Sequence, residues 1–140
     1  MEDSYKLSHT APNLEDAEDG TAAPIWALDP VMPDVYTRPE LYTHGPAWKT
    51  AARVAKSVEG KPDAMVTIYR AAPPSVGIIH DGDWVTTSLE YARIHACQDD
   101  DPANDWPVMT ASVPARTLYN EGDLCEYGYN GPALTDCQSV

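Results

Sequence analysis

AMVTIYRA, residues 64–71, places apolar side chains at alternate positions and predicts a β-strand. Successive side chains of a strand point to opposite faces, so Val66, Ile68 and Arg70 share one face. Two prolines follow the strand and end it. A second strand is predicted at Trp84 to Thr87, where aromatic and β-branched residues follow a Gly-Asp turn.

A helix is predicted directly after the second strand. Ser88 is a favoured N-cap residue, and Leu89, Ala92 and Ala96 recur at helical spacing over residues 89–96. The loop 99–105 carries four Asp and one Pro and is expected to be exposed. Strand, strand and helix in this order indicate an α+β domain.

The chain beyond this loop favours three further strands. We predict strands at Val108 to Val113, at Leu118-Tyr119 and at Leu124 to Tyr129, the last with the sequence LCEYGY. An Asn-Glu-Gly-Asp turn at 120–123 separates the last two. The residues after Pro132 are predicted to be frayed.

The clearest helix on the N-terminal side begins at Gly45-Pro46 and ends at Gly60. One face of it is apolar and predicted to be buried: Trp48, Ala51, Ala55 and Val58. The opposite side carries the cluster Lys49, Arg53 and Lys56, which is either an exposed helix face or a surface for a partner.

The first 46 residues show little periodicity. Residues 1–23 are predicted to be a partly disordered arm, with a short strand from Tyr5 to His9 and a solvated acidic run from Glu15 to Gly20. Residues 24–46 contain five Pro with interspersed aromatics and are predicted to lie irregularly along the core. No repeat is visible, so residues 1–140 are predicted to form a single domain.

Composition agrees with this α+β fold. The chain has 140 residues, 43% of them hydrophobic, which suits one domain with a real core, and its 13 Pro argue against a helical bundle. We therefore predict a small, twisted, mostly antiparallel sheet of split type, with helices 46–59 and 89–97 packed against it.

The net charge of −13 narrows the classes of partner. Such a surface repels nucleic acid and anionic membranes, so neither is expected to bind directly, whereas a basic protein partner is compatible with it. The polar, acidic start and the lack of a long apolar run lead us to expect neither a signal peptide nor a membrane span. Its three Cys form no disulfide framework and its four His have no metal-ligand spacing, so we expect a reducing cytoplasm and no metal.

Three groups of polar residues are candidates for chemistry. Arg70 either pairs structurally with a carboxylate or binds phosphate or ribose oxygens through its planar guanidinium. The run Thr86-Thr87-Ser88 is either a strand followed by an N-cap or a set of hydroxyls near an anionic or amide-bearing ligand. Tyr91, one turn into the helix, either packs or stacks on a flat ring.

Glu126 is the candidate carboxylate. It lies between Cys125 and Tyr127 in the predicted last strand, where a charge is costly unless it is paired or at an edge. Glu121 is the competitor, but it lies in the predicted turn and is expected to be solvated.

The segments TIYRAAP, GDWVTTSLEYARIHA, VPARTLY and EYGYNGP, in this order, resemble a family of small bacterial and phage-encoded ADP-ribosyltransferase-like domains. HTAP (9–12) and PDVY (33–36) resemble the leader of the same family. The resemblance is strongest over residues 64–131. It implies an Arg on an early strand, a Ser/Thr-rich strand and a late catalytic Glu.

Carried over to this sequence, the resemblance implies NAD as the bound dinucleotide. Arg70 would hold its phosphates or ribose, Thr87 and Ser88 would form the wall of the nicotinamide pocket, Tyr91 would stack on the ring, and Glu126 would be the catalytic carboxylate. The second motif here is Thr-Thr-Ser rather than Ser-Thr-Ser. Leu124 replaces the first acidic or amide residue of the Glu/Gln-x-Glu pair of arginine-modifying members, which leaves the acceptor open.

The sequence leaves three interpretations of the function open. The chain is either an enzyme that transfers ADP-ribose to a protein or hydrolyses NAD, or a non-enzymatic acidic inhibitor, a DNA mimic that blocks a basic nucleic-acid-binding protein of a host defence system. An accessory phage protein that kept the fold without the chemistry is a third reading. NAD binding separates the first from the others.

Overall fold

The computed structural model describes residues 11–43 and 47–140. It has antiparallel sheets and three α-helices in the described part, so the predicted α+β class is confirmed. In chain order the elements are α1 (Leu14–Glu18), β1 (Ala23–Pro24), α2 (Trp48–Ser57), β2 (Met65–Ala71), β3 (Trp84–Val85), α3 (Leu89–Ala96), β4 (Val108–Pro114), β5 (Leu118–Asn120), β6 (Tyr127–Tyr129) and β7 (Gln138–Ser139). Short 3₁₀ helices lie at Pro39–Tyr42, Pro102–Asn104 and Ala115–Thr117.

The described strands form two antiparallel sheets. One has the order β1-β5-β6-β3 and the other β2-β4-β7. The longest pairing joins β2 to β4 along all seven residues, from Met65 opposite Pro114 to Ala71 opposite Val108. The predicted strands at 64–71, 84–87, 108–113 and 118–119 are therefore present, within a few residues of the predicted bounds.

A short backbone pairing links β2 to the end of β3. Tyr69 of β2 and Thr86, just after β3, exchange two backbone hydrogen bonds of 2.8 and 3.0 Å. Beyond Thr86 the chain leaves the sheet and enters α3, so β2 and β3 pair only briefly. This brief pairing is what places the start of α3 beside both sheets.

The core lies on one face of β2. Val66 and Ile68 are buried there with Ala51 and Ala55 of α2, as the apolar stripe of that helix predicted. The other face of β2 is covered at its C-terminal end by α3, which buries Ala92 and Ala96 against Val108, with Tyr69 and Ala71 beside them. Alternation along β2 therefore separates two packed layers.

The described part of α2 agrees with its predicted pattern. Val58 is buried, and Trp48 is partly buried against the core. Gly60 has a φ of 73°, a conformation that favours glycine, and follows the helix as expected. The cluster Lys49, Arg53 and Lys56 is exposed. The predicted start at Gly45-Pro46 and the predicted strand Tyr5 to His9 lie outside the described residues.

The predicted last strand is too long at its N-terminal end. Only Tyr127–Tyr129 form β6, while residues 124–126 belong to a turn. The reason is local: the Glu126 N–H donates to the Asp123 carbonyl at 3.0 Å, and the Cys125 N–H donates to the Asp123 side chain at 2.9 Å. These turn bonds use N–H groups that a strand would offer to a neighbour.

The predicted arm is more structured than expected over residues 11–23. α1 begins with a reciprocal capping box, in which Asn13 and Asp16 each accept the other's backbone N–H. The prediction of a partly disordered arm is therefore wrong at residues 14–18, whereas the acidic run 15–20 is largely exposed, as predicted. The composition alone concealed the short helix because its stability comes from the cap rather than from an apolar stripe.

The C-terminal tail is also ordered into the fold. β7 pairs with β4, Met109 lying opposite Ser139, and Leu134 makes an isolated β-bridge with Ile79. The prediction of a frayed tail is wrong at these positions, because the edge of β4 offers backbone groups that the tail can pair with.

Candidate functional site

Tyr91 and Glu126 form the centre of the candidate site. α3 carries Tyr91 in its first turn, and Glu126 is the last residue before β6. The Tyr91 hydroxyl donates a hydrogen bond to the Glu126 carboxylate. Both side chains are half-buried. The sequence nominated both residues, and the structure brings them into contact.

The start of α3 supplies the neighbouring polar groups. Ser88 is fully buried and is the predicted N-cap, since its hydroxyl accepts the Tyr91 N–H at 3.2 Å. The Ser88 N–H donates to the Thr86 hydroxyl at 3.2 Å. Thr87 is buried, and its hydroxyl has no hydrogen-bond partner among residues 11–43 and 47–140. Capping therefore ties Ser88 to Tyr91, whereas the Thr87 hydroxyl stays a buried polar group that the described residues do not satisfy.

The turn before β6 also touches an earlier segment of the chain. The Leu124 N–H donates to the Tyr42 carbonyl at 2.9 Å, and the Thr43 hydroxyl lies 3.6 Å from the Cys125 sulfur. Residues 42–43 therefore border the turn that carries Glu126. The irregular segment 24–46 does lie along the core in its described part, as predicted.

Burial raises the pKa values of two groups in the site, the Tyr91 phenol and the Cys125 thiol. Burial first, and then the hydrogen bond to Glu126, raises the pKa of the Tyr91 phenol far above its usual range. Burial likewise raises the pKa of the Cys125 thiol, to about 11. At neutral pH Tyr91 is thus a hydrogen-bond donor, and Cys125 is a thiol with little thiolate character, which makes it a poor nucleophile.

One side of the Tyr91 ring is already in contact with a neighbour. The rings of Tyr91 and His95 have centroids 4.5 Å apart and are tilted by 48°. They are one helical turn apart, so the contact follows from helix geometry. The structure therefore gives Tyr91 two partners, the His95 ring and the Glu126 carboxylate, where the sequence suggested stacking on a ligand.

Arg70 is tied to the segment that connects β2 to α3. It shares its face of β2 with Val66 and Ile68, and Tyr91 packs against the core to which these two residues belong. Its Nη1 donates to the Trp84 carbonyl at 2.7 Å, and its Nε lies 3.7 Å from an oxygen of Asp83. The side chain is about one quarter exposed. Arg70 thus ties β2 to the start of β3.

Two further arginines of the described residues are not partners of Arg70 in any recorded contact. Arg116 lies near the opposite end of β2, where its guanidinium pairs with Asp63 at 2.7 Å. Arg93 is an exposed residue of α3.

Asn120 is a residue of this site that sequence reasoning missed as a site residue. Its side chain is fully buried and donates to the backbone carbonyl of Glu126 at 3.0 Å. In the sequence it was visible only as the first residue of an Asn-Glu-Gly-Asp turn. The one available signal was that Asn at such a position bonds its own turn.

The described residues contain no group of three or more His, Cys, Asp or Glu side chains placed to hold a metal ion. Among the described helices none combines the length and the apolar character needed to span a bilayer. Comparison of the chain with protein-family models, with curated proteins and with solved structures gave no match.

Proposed function

We propose that this protein is an NAD-binding, ADP-ribosyltransferase-like enzyme that transfers ADP-ribose to a protein or hydrolyses NAD. The observation that supports it most is the hydrogen bond between Tyr91 and Glu126. It joins the late carboxylate to the helix that Ser88 begins, so two separate segments of the family resemblance meet. Nothing in local sequence requires residues so far apart in the chain to meet.

In this proposal Glu126 is the catalytic carboxylate. One of its oxygens accepts a hydrogen bond from the Tyr91 hydroxyl, and the other accepts a hydrogen bond from the 2′-OH of the nicotinamide ribose. Its negative charge stabilises the oxocarbenium-like state as the bond from ribose C1′ to nicotinamide breaks and the electron pair leaves with nicotinamide. The acceptor nucleophile, or water, then forms the new bond to C1′ and releases its proton to solvent.

The remaining candidates have supporting roles. Thr87 offers to an amide-bearing ring a buried hydroxyl that has no hydrogen-bond partner in the described part of the chain. Ser88 is engaged as an N-cap, so it shapes the pocket wall through the position of α3. Arg70 keeps N–H donors beyond the one given to Trp84, and these are the groups that would reach ligand phosphates or ribose. The Tyr91 hydroxyl holds the Glu126 carboxylate, so in this proposal Tyr91 positions that carboxylate instead of stacking on the nicotinamide ring.

Replacing Glu126 by Gln tests this proposal, because Gln keeps size and much of the hydrogen bonding but removes the charge. Nicotinamide release from NAD should fall at least about a hundredfold, the usual scale for losing one stabilising group. NAD binding, measured by calorimetry, should survive. Glu121→Gln is the matched control, since Glu121 is exposed on the same turn. Equal activity of Glu126→Gln and the parent would refute the assignment.

A second candidate function, a non-enzymatic inhibitor that presents an acidic surface, is favoured by the loop 99–105. Its Asp residues are all exposed. Two of the four side chains are held by bonds within the loop: Asp99 accepts the Asp101 N–H at 2.8 Å, and Asp101 accepts the Ala103 N–H at 3.0 Å. A preformed acidic surface suits a basic protein partner.

The two functions respond differently to two titrations. An enzyme binds NAD, and it loses that binding when Arg70 is replaced. An acidic inhibitor ignores NAD and binds a basic protein with a steep salt dependence. Absence of NAD binding and cleavage by the parent with any candidate acceptor would favour the inhibitor.

A further inference from the structure

The connection between β5 and β6 is built around the side chain of Asn120. This residue ends β5, is fully buried, and uses both ends of its amide. Its Nδ2 donates to the Asp123 carbonyl at 2.7 Å and to the Glu126 carbonyl at 3.0 Å, and its Oδ1 accepts the Gly122 N–H at 2.7 Å. One side chain therefore fixes three points of the six-residue connection.

The backbone of Glu126 is held from both sides as a result. Its carbonyl accepts a hydrogen bond from Nδ2 of Asn120, and its N–H donates one to the Asp123 carbonyl at 3.0 Å. That same Asp123 carbonyl accepts the other bond from Asn120. β6 begins at the next residue. With the backbone fixed, the Glu126 carboxylate has only its own side-chain torsions left, and the bond from Tyr91 restrains these.

The residue type at position 120 is what this arrangement needs. An amide side chain offers donors at one end and an acceptor at the other, and the connection presents two carbonyls and one N–H. Aspartate has the same shape but would bring an acceptor against both carbonyls. Gly122 has a φ of 130°, a conformation that L side chains rarely adopt, so the connection is also tight next to Asn120.

We infer that Asn120 is a positioning residue for Glu126: it fixes the backbone from which that carboxylate reaches the reacting ribose. The inference rests on the function proposed above for its activity readout. It goes beyond it by assigning a role to a buried amide that touches neither substrate nor reacting atoms. Small displacements of a catalytic group are costly, on the order of a hundredfold in rate for about 1 Å.

The test compares Asn120→Asp with the parent in nicotinamide release. The turnover number should fall on the order of a hundredfold while KM for NAD stays close to that of the parent, because ligand binding is assigned to Arg70 and Thr87. The matched control is Val113→Ala, which truncates a buried residue of β4, a strand of the sheet that contains neither β5 nor β6. It should lower stability while leaving the turnover number nearly unchanged.

A second readout does not depend on activity. The Tyr91 hydroxyl proton, observed by NMR and assigned with Tyr91→Phe, reports the bond to Glu126 directly. It should exchange faster or disappear in Asn120→Asp and persist in Val113→Ala. Should Asn120→Asp fail to fold, Asn120→Ser takes its place. A single hydroxyl donor cannot serve both the Asp123 and the Glu126 carbonyls, so the turnover number should fall in the same direction.

The outcomes separate the two proposals. A parent that releases no nicotinamide contradicts the enzymatic function, and the Tyr91 proton then decides the role of Asn120 alone. Retention of that proton signal and of the turnover number in the Asn120 variant overturns the positioning role. An equal loss of turnover in Val113→Ala also overturns it, since the effect would then follow stability in general.

Discussion

The Tyr91 hydroxyl donates to the Glu126 carboxylate across 35 residues of chain. Tyr91 is positioned by α3 and its Ser88 cap, whereas Glu126 is positioned by the turn that Asn120 fills. The two residues therefore belong to independently fixed elements. Their hydrogen bond is the point at which both elements must be correctly placed for the site to exist.

Tyr91→Phe removes the hydroxyl and leaves the half-buried Glu126 carboxylate without this donor. We expect a loss in the free energy of unfolding of about 1–3 kcal/mol, the scale of a bond to a charged group. In a double-mutant cycle with Glu126→Gln, the coupling energy should be at least about 0.5 kcal/mol. Denaturant unfolding of the four proteins measures it. Additive effects would mean that the two side chains do not interact in solution.

Arg70→Gln should affect both stability and ligand affinity. The guanidinium joins β2 to Trp84 and Asp83 in a largely buried place, so we expect a loss of about 1–2 kcal/mol in unfolding free energy. NAD affinity, measured by calorimetry, should fall as well. Arg116→Gln is the control: its ion pair with Asp63 is exposed and should change stability by less than about 0.5 kcal/mol. Unchanged NAD affinity in Arg70→Gln would confine Arg70 to a structural role.

Gly128→Ala should destabilise the protein through a backbone clash. A Cβ at Gly128 would lie 2.0 Å from the Pro12 carbonyl oxygen, which also accepts a bond from Asn130 at 3.2 Å. Residues 11–13 would have to move, at a cost of about 1–3 kcal/mol. Gly77→Ala, where a Cβ meets no atom within 4 Å, should stay within about 0.5 kcal/mol of the parent. Thermal unfolding compares them, and equal melting temperatures would show that this segment is not packed on β6.

Stability should fall as pH rises from about 9 to about 11, in part because of Cys125. Its pKa is raised by burial to about 11 in the folded state, against an ordinary value of 9.0. Between these pH values the thiol loses its proton in the unfolded state but keeps it in the folded state. Deprotonation therefore stabilises the unfolded state and lowers the free energy of unfolding. The contribution is complete below pH 9 and is lost as pH rises to about 11, on the order of 3 kcal/mol in total.

Urea unfolding at pH 8 and pH 10 measures this effect. Cys125→Ala should be less stable at both values but should lose less stability between them than the parent. Cys97→Ala, at an exposed position, should follow the parent. Parallel behaviour of Cys125→Ala and the parent would show that the buried thiol does not titrate in this way.

Local sequence predicted the elements that carry their own signals. Alternation gave β2, helical spacing and the Ser88 hydroxyl gave α3, and the apolar stripe of α2 gave its buried face. These features depend on neighbours within a few positions, so they survive without knowledge of the fold. The extension of β6 back to Leu124 failed for a similar reason, since apolar residues in a turn look the same as apolar residues in a strand.

For the candidate site, too, the residue types could be predicted from the sequence and their contacts could not. The sequence by itself determined which residue types were available: a late carboxylate, a capped helix start, a strand arginine. Only the tertiary structure decided that Glu126 meets Tyr91, that Arg70 bonds the Trp84 carbonyl, and that the buried Asn120 side chain bonds the Glu126 carbonyl. These contacts join positions far apart in the chain or depend on which face is buried. Local pattern carries no information on either, because both are set by how the two sheets and α3 pack together.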